Sequence, residues 1–123
     1  MRTLRTHGQF RRHLVDATAC LITGLALSAS PVMAADESAQ LALGQKLFMQ
    51  GSVPACAVCH TLKAAGAVGA IGPVLDELRP DAARVAKALR NGIGQMPSYK
   101  DTLTGEQIGA LALYVSKSSG GTK

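Results

Sequence analysis

The sequence has no tryptophan, and its two phenylalanines and two tyrosines among 123 residues are a thin supply of rings for a core. A domain this small buries proportionally little surface and is marginal on its own packing, so something else has to furnish apolar bulk. No basic stripe with interleaved aromatics occurs, which excludes nucleic acid as a partner. No run alternates like a strand and no segment repeats, which leaves an all-α domain with long loops. No apolar run reaches the roughly 20 residues that span a bilayer. Histidine and cysteine are also scarce, three of each, and where they fall matters more than their number.

The first third does not read as part of the domain. Arg2, Arg5, Arg11 and Arg12 make a basic start, Ala17 to Ala29 is a short and mostly apolar run, and Val32-Met33-Ala34 puts small residues where a signal peptidase reads. That order describes a cleaved export signal, residues 1–34, with the cut between Ala34 and Ala35. Arg11-Arg12 faintly resembles a twin-arginine signal, but an ordinary basic start is the favoured reading. Cleavage leaves residues 35–123 as the domain, periplasmic and without membrane insertion. Nine lysines and arginines then face seven acids, a net charge of +2 against +5 for the whole chain. Cleavage also removes Cys20, His7 and His13, so the remaining two cysteines and one histidine lie within five residues, Cys56 to His60.

Cys56-Ala57-Val58-Cys59-His60 carries the chemistry. Two thiols three positions apart suit two thioether bonds to a haem, and the next residue then delivers its imidazole to the iron. A disulfide suits an oxidising compartment but leaves the adjacent His60 without a purpose. A thioredoxin-like motif needs a βαβ context, and a structural zinc site needs four ligands. The reading is one covalent haem c, with Cys56, Cys59 and His60 in the cofactor site.

The other axial position cannot be a second histidine of the domain. Met49 and Met96 are the soft donors. Met49 ends the first helix and reads as a core gap-filler. Met96 sits in Gly92-Ile93-Gly94-Gln95-Met96-Pro97, a compact loop far enough along the chain to pass around a ring. Met96 is therefore the expected second metal ligand beside His60; an open sixth position with Met96 merely packing is the alternative. A thioether raises the potential. With both positions filled no substrate reaches the iron, so no catalytic residue is expected and the role is outer-sphere electron transfer.

Three helices are legible. Asp36 to Gln50 places Leu41, Leu47 and Phe48 on one face, with Gly44 between them and Gly51 as its stop. Pro80 to Arg90 starts with Pro80 at the first helical position, turns Val85 and Leu89 inward, and ends at Asn91-Gly92. Thr104 to Ser116 has capping-box spacing at Thr104 and Gln107, and Ile108, Leu111, Ala112 and Val115 on one face. Ala64 to Gly72 reads as loop, and residues 117–123 as a frayed tail. From spacing alone Pro73 is an ordinary turn proline.

The order of Gly44 and Phe48, Cys56-x-x-Cys59-His60, Gly72-Pro73-Val74-Leu75, Met96-Pro97 and a last helix with Leu111 and Tyr114 resembles class I cytochromes c across residues 36–116. The resemblance implies a cytochrome c fold, three to four helices wrapped around one haem. It further implies that Gly44 lets the first helix cross the last near Tyr114, that the Pro73 carbonyl accepts from the His60 ring, that Leu75 packs on the haem and that Met96 binds iron. The Ala/Gly-rich stretch at 64–72 departs from the pattern, and the lack of tryptophan leaves Tyr99, Arg90 or Lys100 to meet the propionates. More narrowly, Pro54 to Lys63, Gly72 to Glu77 and Gly92 to Ser98 resemble the cytochrome subunit of bacterial sulfite dehydrogenases. That resemblance implies a molybdopterin sulfite dehydrogenase subunit as electron donor and a downstream cytochrome or oxidase as acceptor. A free carrier between a periplasmic dehydrogenase or respiratory complex and a terminal oxidase is the alternative. A peroxidase or ligand sensor stands behind both, because no distal histidine is available.

Overall fold

The computed structural model of the chain describes residues 32–121. The export-signal reading falls mainly outside these residues, and the expected cut lies in the first turn of the first helix. Five helices and one two-stranded hairpin make up the described chain.

Helix α1, Val32–Lys46, continues into a wider π-helical turn over Leu47–Gly51. The turn buries Leu47 and Phe48. Ser52 then closes it, its hydroxyl donating to the Leu47 carbonyl at 3.0 Å, one of the acceptors that a helix end leaves without an internal donor. Met49 points the other way and is 38% exposed, so it does not fill the core as expected.

Helix α5, Gly105–Ser119, packs most extensively on α1 and on α4, Ala82–Asn91. The capping box at Thr104 and Gln107 is present in both directions. The predicted stripe of Ile108, Leu111, Ala112 and Val115 is buried, and Tyr114 joins it. At Gly44 a Cβ would run into the Ala110 carbonyl and sit 2.5 Å from the Tyr114 Cβ. The bare glycine lets the helices meet there, with the Phe48 and Tyr114 rings tilted at 57° and 6.0 Å apart.

The structure corrects three further expectations. First, α5 does not fray after Ser116: Gly120 takes a left-handed conformation, its N–H and that of Gly121 cap the Lys117 and Ser116 carbonyls, and Lys117 pairs with Glu37 of α1. The two successive glycines allow this terminal motif. Second, Pro80 is not the first residue of α4; Asp81 caps it, accepting the Arg84 backbone N–H at 2.7 Å. A carboxylate satisfies an orphan donor that proline leaves untouched. Third, the stretch from Ala64 is not all loop. Thr61–Leu62 (β1) pairs antiparallel with Ala67–Val68 (β2) around a 3₁₀ turn, Lys63–Ala65. Two-residue strands carry no readable period, and β2 is short enough to hide among small residues.

Two single-turn helices complete the fold, α2 at Cys56–Cys59 and α3 at Leu75–Leu78. Asp76 of α3 accepts the Lys63 backbone N–H at 2.9 Å, tying α3 to the hairpin.

Candidate cofactor site

The core opens on one side into a cavity of about 550 Å³, within the range of roughly 300–1,000 Å³ usual for small-molecule and cofactor sites. Phe48, Leu89, Leu111 and Val115 belong both to the core and to the cavity wall. The wall is therefore apolar for the same reason that the core is. Cys56, Cys59, His60, Pro73 and Met96 all line it. The fold thus brings together five residues spread over forty positions of sequence.

Helix α2 packs on the π turn and on β2. It presents Cys56 and Cys59, both half-buried and free. The Ser52 hydroxyl lies 3.5 Å from the Cys56 sulfur. Burial pushes the Cys56 thiol up from its ordinary value, and the Ser52 contact opposes that.

Main-chain atoms aim His60. The Ile71 and Gly72 N–H groups both donate to the Cys59 carbonyl, at 3.1 and 2.7 Å, and bring the following residues across the imidazole. Nδ1 of His60 then lies 3.0 Å from the Pro73 carbonyl. A carbonyl can only accept, so Nδ1 carries the proton and Nε2 is the nitrogen left with a lone pair. A Cβ on Gly72 would stand 2.5 Å from the His60 Cε1; only glycine lets the backbone lie so close to the ring.

Met96 approaches from another part of the chain. A tight turn, with Ile93 and Met96 exchanging both backbone hydrogen bonds at 3.0 Å, sets it at the cavity. Tyr99 anchors this loop. Its N–H donates to the Leu89 carbonyl at 2.7 Å and its hydroxyl to the Pro54 carbonyl at 2.8 Å, bridging 45 positions of sequence. Burial first, and then the neighbouring Cys56 and Cys59, push its phenol up to about 12, so it stays a donor.

Leu75 lines the cavity and Met49 does not. Of the three residues suggested for the propionates, Arg90 and Lys100 are exposed and away from the wall, while Tyr99 lines it but spends its hydroxyl on Pro54. The wall includes one cation that the sequence reading missed, Arg84. Its place one turn before Ala88 and beside Val85, on the inward face of α4, is the signal that could have found it.

These residues fit a haem. Two thiols at attachment spacing, an imidazole with one nitrogen engaged and one free, and a thioether share one apolar cavity. The sequence matches, over residues 39–115, the family described as cytochrome C oxidase, cbb3-type, subunit III. The chain belongs to this family of c-type cytochromes. It is also similar to the crystal structure of the c-type cytochrome SorU from Sinorhizobium meliloti, at 55% identity and a TM-score of 0.65, over 68% of this chain and 95% of that one. No curated protein matches the sequence. A c-type cytochrome carries covalent haem c and transfers electrons, and the all-α reading stands with it.

Proposed function

We propose that this cytochrome is a periplasmic one-electron carrier with a single haem, bound through Cys56 and Cys59, with His60 and Met96 on the iron, and that it receives electrons as the haem subunit of a molybdenum sulfite dehydrogenase. The observation that carries the ligand set is the cavity lined by both thiols, by His60 with Nδ1 engaged, and by Met96. The haem supplies a metal centre that changes oxidation state by one electron. The chain's own part is to hold it still. The Pro73 carbonyl orients the imidazole, the turn at Ile93–Met96 presents the thioether, and the apolar wall keeps water from the ring. A rigid ligand set changes little between the two oxidation states, and that keeps the cost of each electron step low.

The resemblance of the attachment and Met96 segments to sulfite dehydrogenase cytochromes, together with the similarity to SorU, supports the choice of donor. Val58, next to Cys59, and Val68 of β2 are 62% and 84% exposed and lie off the cavity wall. Apolar side chains left in water beside the haem site suit a protein partner that covers them. The residues expected to remain after export, 35–123, keep the whole cavity.

Gel filtration of native periplasmic extract, followed by haem absorbance and by addition of sulfite, tests this reading. Haem that elutes with a much larger protein and is reduced by sulfite is the expected result. Haem that elutes alone at the size of a small monomer and stays oxidised would exclude the sulfite donor and leave the free carrier, whose interfaces are small, below about 1,200 Å².

A further inference from the structure

Helix α4 carries three cations, Arg84, Lys87 and Arg90, all of them exposed. Lys87 and Arg90 lie off the cavity wall. Arg84 lines it together with Val85, Ala88 and Leu89 of the same helix. Arg84 is the one arginine or lysine in a wall that is otherwise mostly apolar. Its backbone N–H is taken by Asp81, but among the described residues its guanidinium has no ion pair and no hydrogen bond. The residue is exposed, so its guanidinium reaches water and is free to take an anion that enters the cavity.

The haem implied by the proposed function completes it. Its ring bears two propionate carboxylates on the edge away from the two thioether attachments. An ionised carboxylate set against an apolar wall is costly unless it is paired. The attachments come from α2, which rests on the π turn and β2, whereas Arg84 comes from α4, which rests on α5. Guanidinium offers a carboxylate a planar, two-pronged match that lysine does not.

We infer that Arg84 holds a haem propionate and that its charge raises the reduction potential of the iron. The inference rests on the haem reading above. A cation fixed near the ring disfavours the more positive, oxidised iron. Removing it lowers the potential, and the change outlasts added salt because a guanidinium in direct contact with a propionate at the cavity is screened less than cations separated from the haem by solvent.

Equilibrium redox titration of the haem-loaded protein tests this, comparing wild type with Arg84→Gln, Arg84→Lys, Arg90→Gln and Lys100→Gln at low and high salt. Arg84→Gln is expected to lower the potential at both salt concentrations and to shift the propionate bands of the redox-difference infrared spectrum. Arg90→Gln and Lys100→Gln remove the same charge from positions off the cavity and produce only a small shift, which salt abolishes. Arg84→Lys keeps the charge without the planar fork. It gives a smaller shift of the same sign, and it carries the test if Arg84→Gln accumulates without haem. A potential for Arg84→Gln no lower than those of the two control variants, with unmoved infrared bands, would overturn the inference. A wild type without a haem absorbance would instead sink the reading beneath it, so the two failures are told apart before any variant is made.

Discussion

Replacing Tyr99 by phenylalanine removes one oxygen atom and tests the link between the Met96 loop and the attachment loop. The ring is 3% exposed and stays where it is. What disappears is the 2.8 Å bond to the Pro54 carbonyl. The Ser52 hydroxyl lies 3.3 Å from that carbonyl, but its one proton goes to Leu47 at 3.0 Å, so water is the donor left to the exposed Pro54. The expected loss at neutral pH is about 1 kcal/mol, the net value of an ordinary internal hydrogen bond. The pH dependence is sharper. Burial raises the Tyr99 phenol from 10.0 to about 12 in the folded chain, so the folded state holds the proton more tightly than the unfolded state does. The stabilisation is complete below pH 10 and is lost as pH rises through about 12. At most, the difference amounts to roughly 2–3 kcal/mol. Thioether formation removes the thiol charges and leaves burial as the cause, so the haem-loaded protein falls below that ceiling. Tyr114 is raised by burial as well, so the wild-type alkaline limb alone is ambiguous. The difference between wild type and Tyr99→Phe isolates Tyr99. Denaturant unfolding followed by far-ultraviolet circular dichroism from pH 7 to 12 measures it. Equal stabilities at pH 7, or alkaline limbs that run parallel, would refute the assignment of Tyr99 as the tie between the two loops.

Met96→Ala takes the thioether from the cavity. The potential should fall and small exogenous ligands such as imidazole should bind the iron, read by redox titration and by the visible spectrum; an unchanged potential excludes Met96 as ligand. Gly72→Ala forces a Cβ to 2.5 Å from the His60 ring. Overpacking of this kind costs typically 1–3 kcal/mol. The expected outcome is a thermal transition lowered to match and a haem spectrum altered by a turned imidazole. A spectrum and transition both identical to wild type would contradict the packing described.

The helices with one apolar face were legible because their signals are periodic. In α5, Ile108, Leu111, Ala112 and Val115 repeat at helical spacing behind a capping box, and the structure buries all four. The close passage at Gly44 followed from the family resemblance rather than from any pattern, and the structure gives its reason in the Ala110 carbonyl. The start of α4 was misread because Pro80 and Asp81 are both good beginnings, and which one caps depends on a side-chain hydrogen bond that composition does not reveal. The hairpin was illegible for another reason. Its small residues serve the close approach of backbone to backbone, as where a Cβ on Gly69 would meet the carbonyl carbon of Cys59 at 2.5 Å, and such contacts leave no mark in hydropathy. Within the candidate site, the cysteines and His60 announced themselves by spacing. Arg84 was harder to find, since its place beside Val85 and one turn before Ala88 gains meaning only once the far wall of the cavity is in place.

The bearing of the His60 ring is set by the carbonyls of Cys59 and Pro73 and by the N–H groups of Ile71 and Gly72. All are main-chain atoms, of a kind that nearly every residue carries. Apart from Cys59, whose sulfur serves attachment, Gly69 and Gly72, whose missing side chains make the space, and Pro73, whose ring confines the backbone, the segment is free to drift in sequence without re-aiming the imidazole. Its side chains are thus available for other work. Val68, 84% exposed and off the cavity wall, can change with whichever protein docks there while the iron's ligand field stays as it was. Such a division separates the choice of redox partner from the tuning of the metal, and would let a single scaffold of this kind be handed from one redox protein to another.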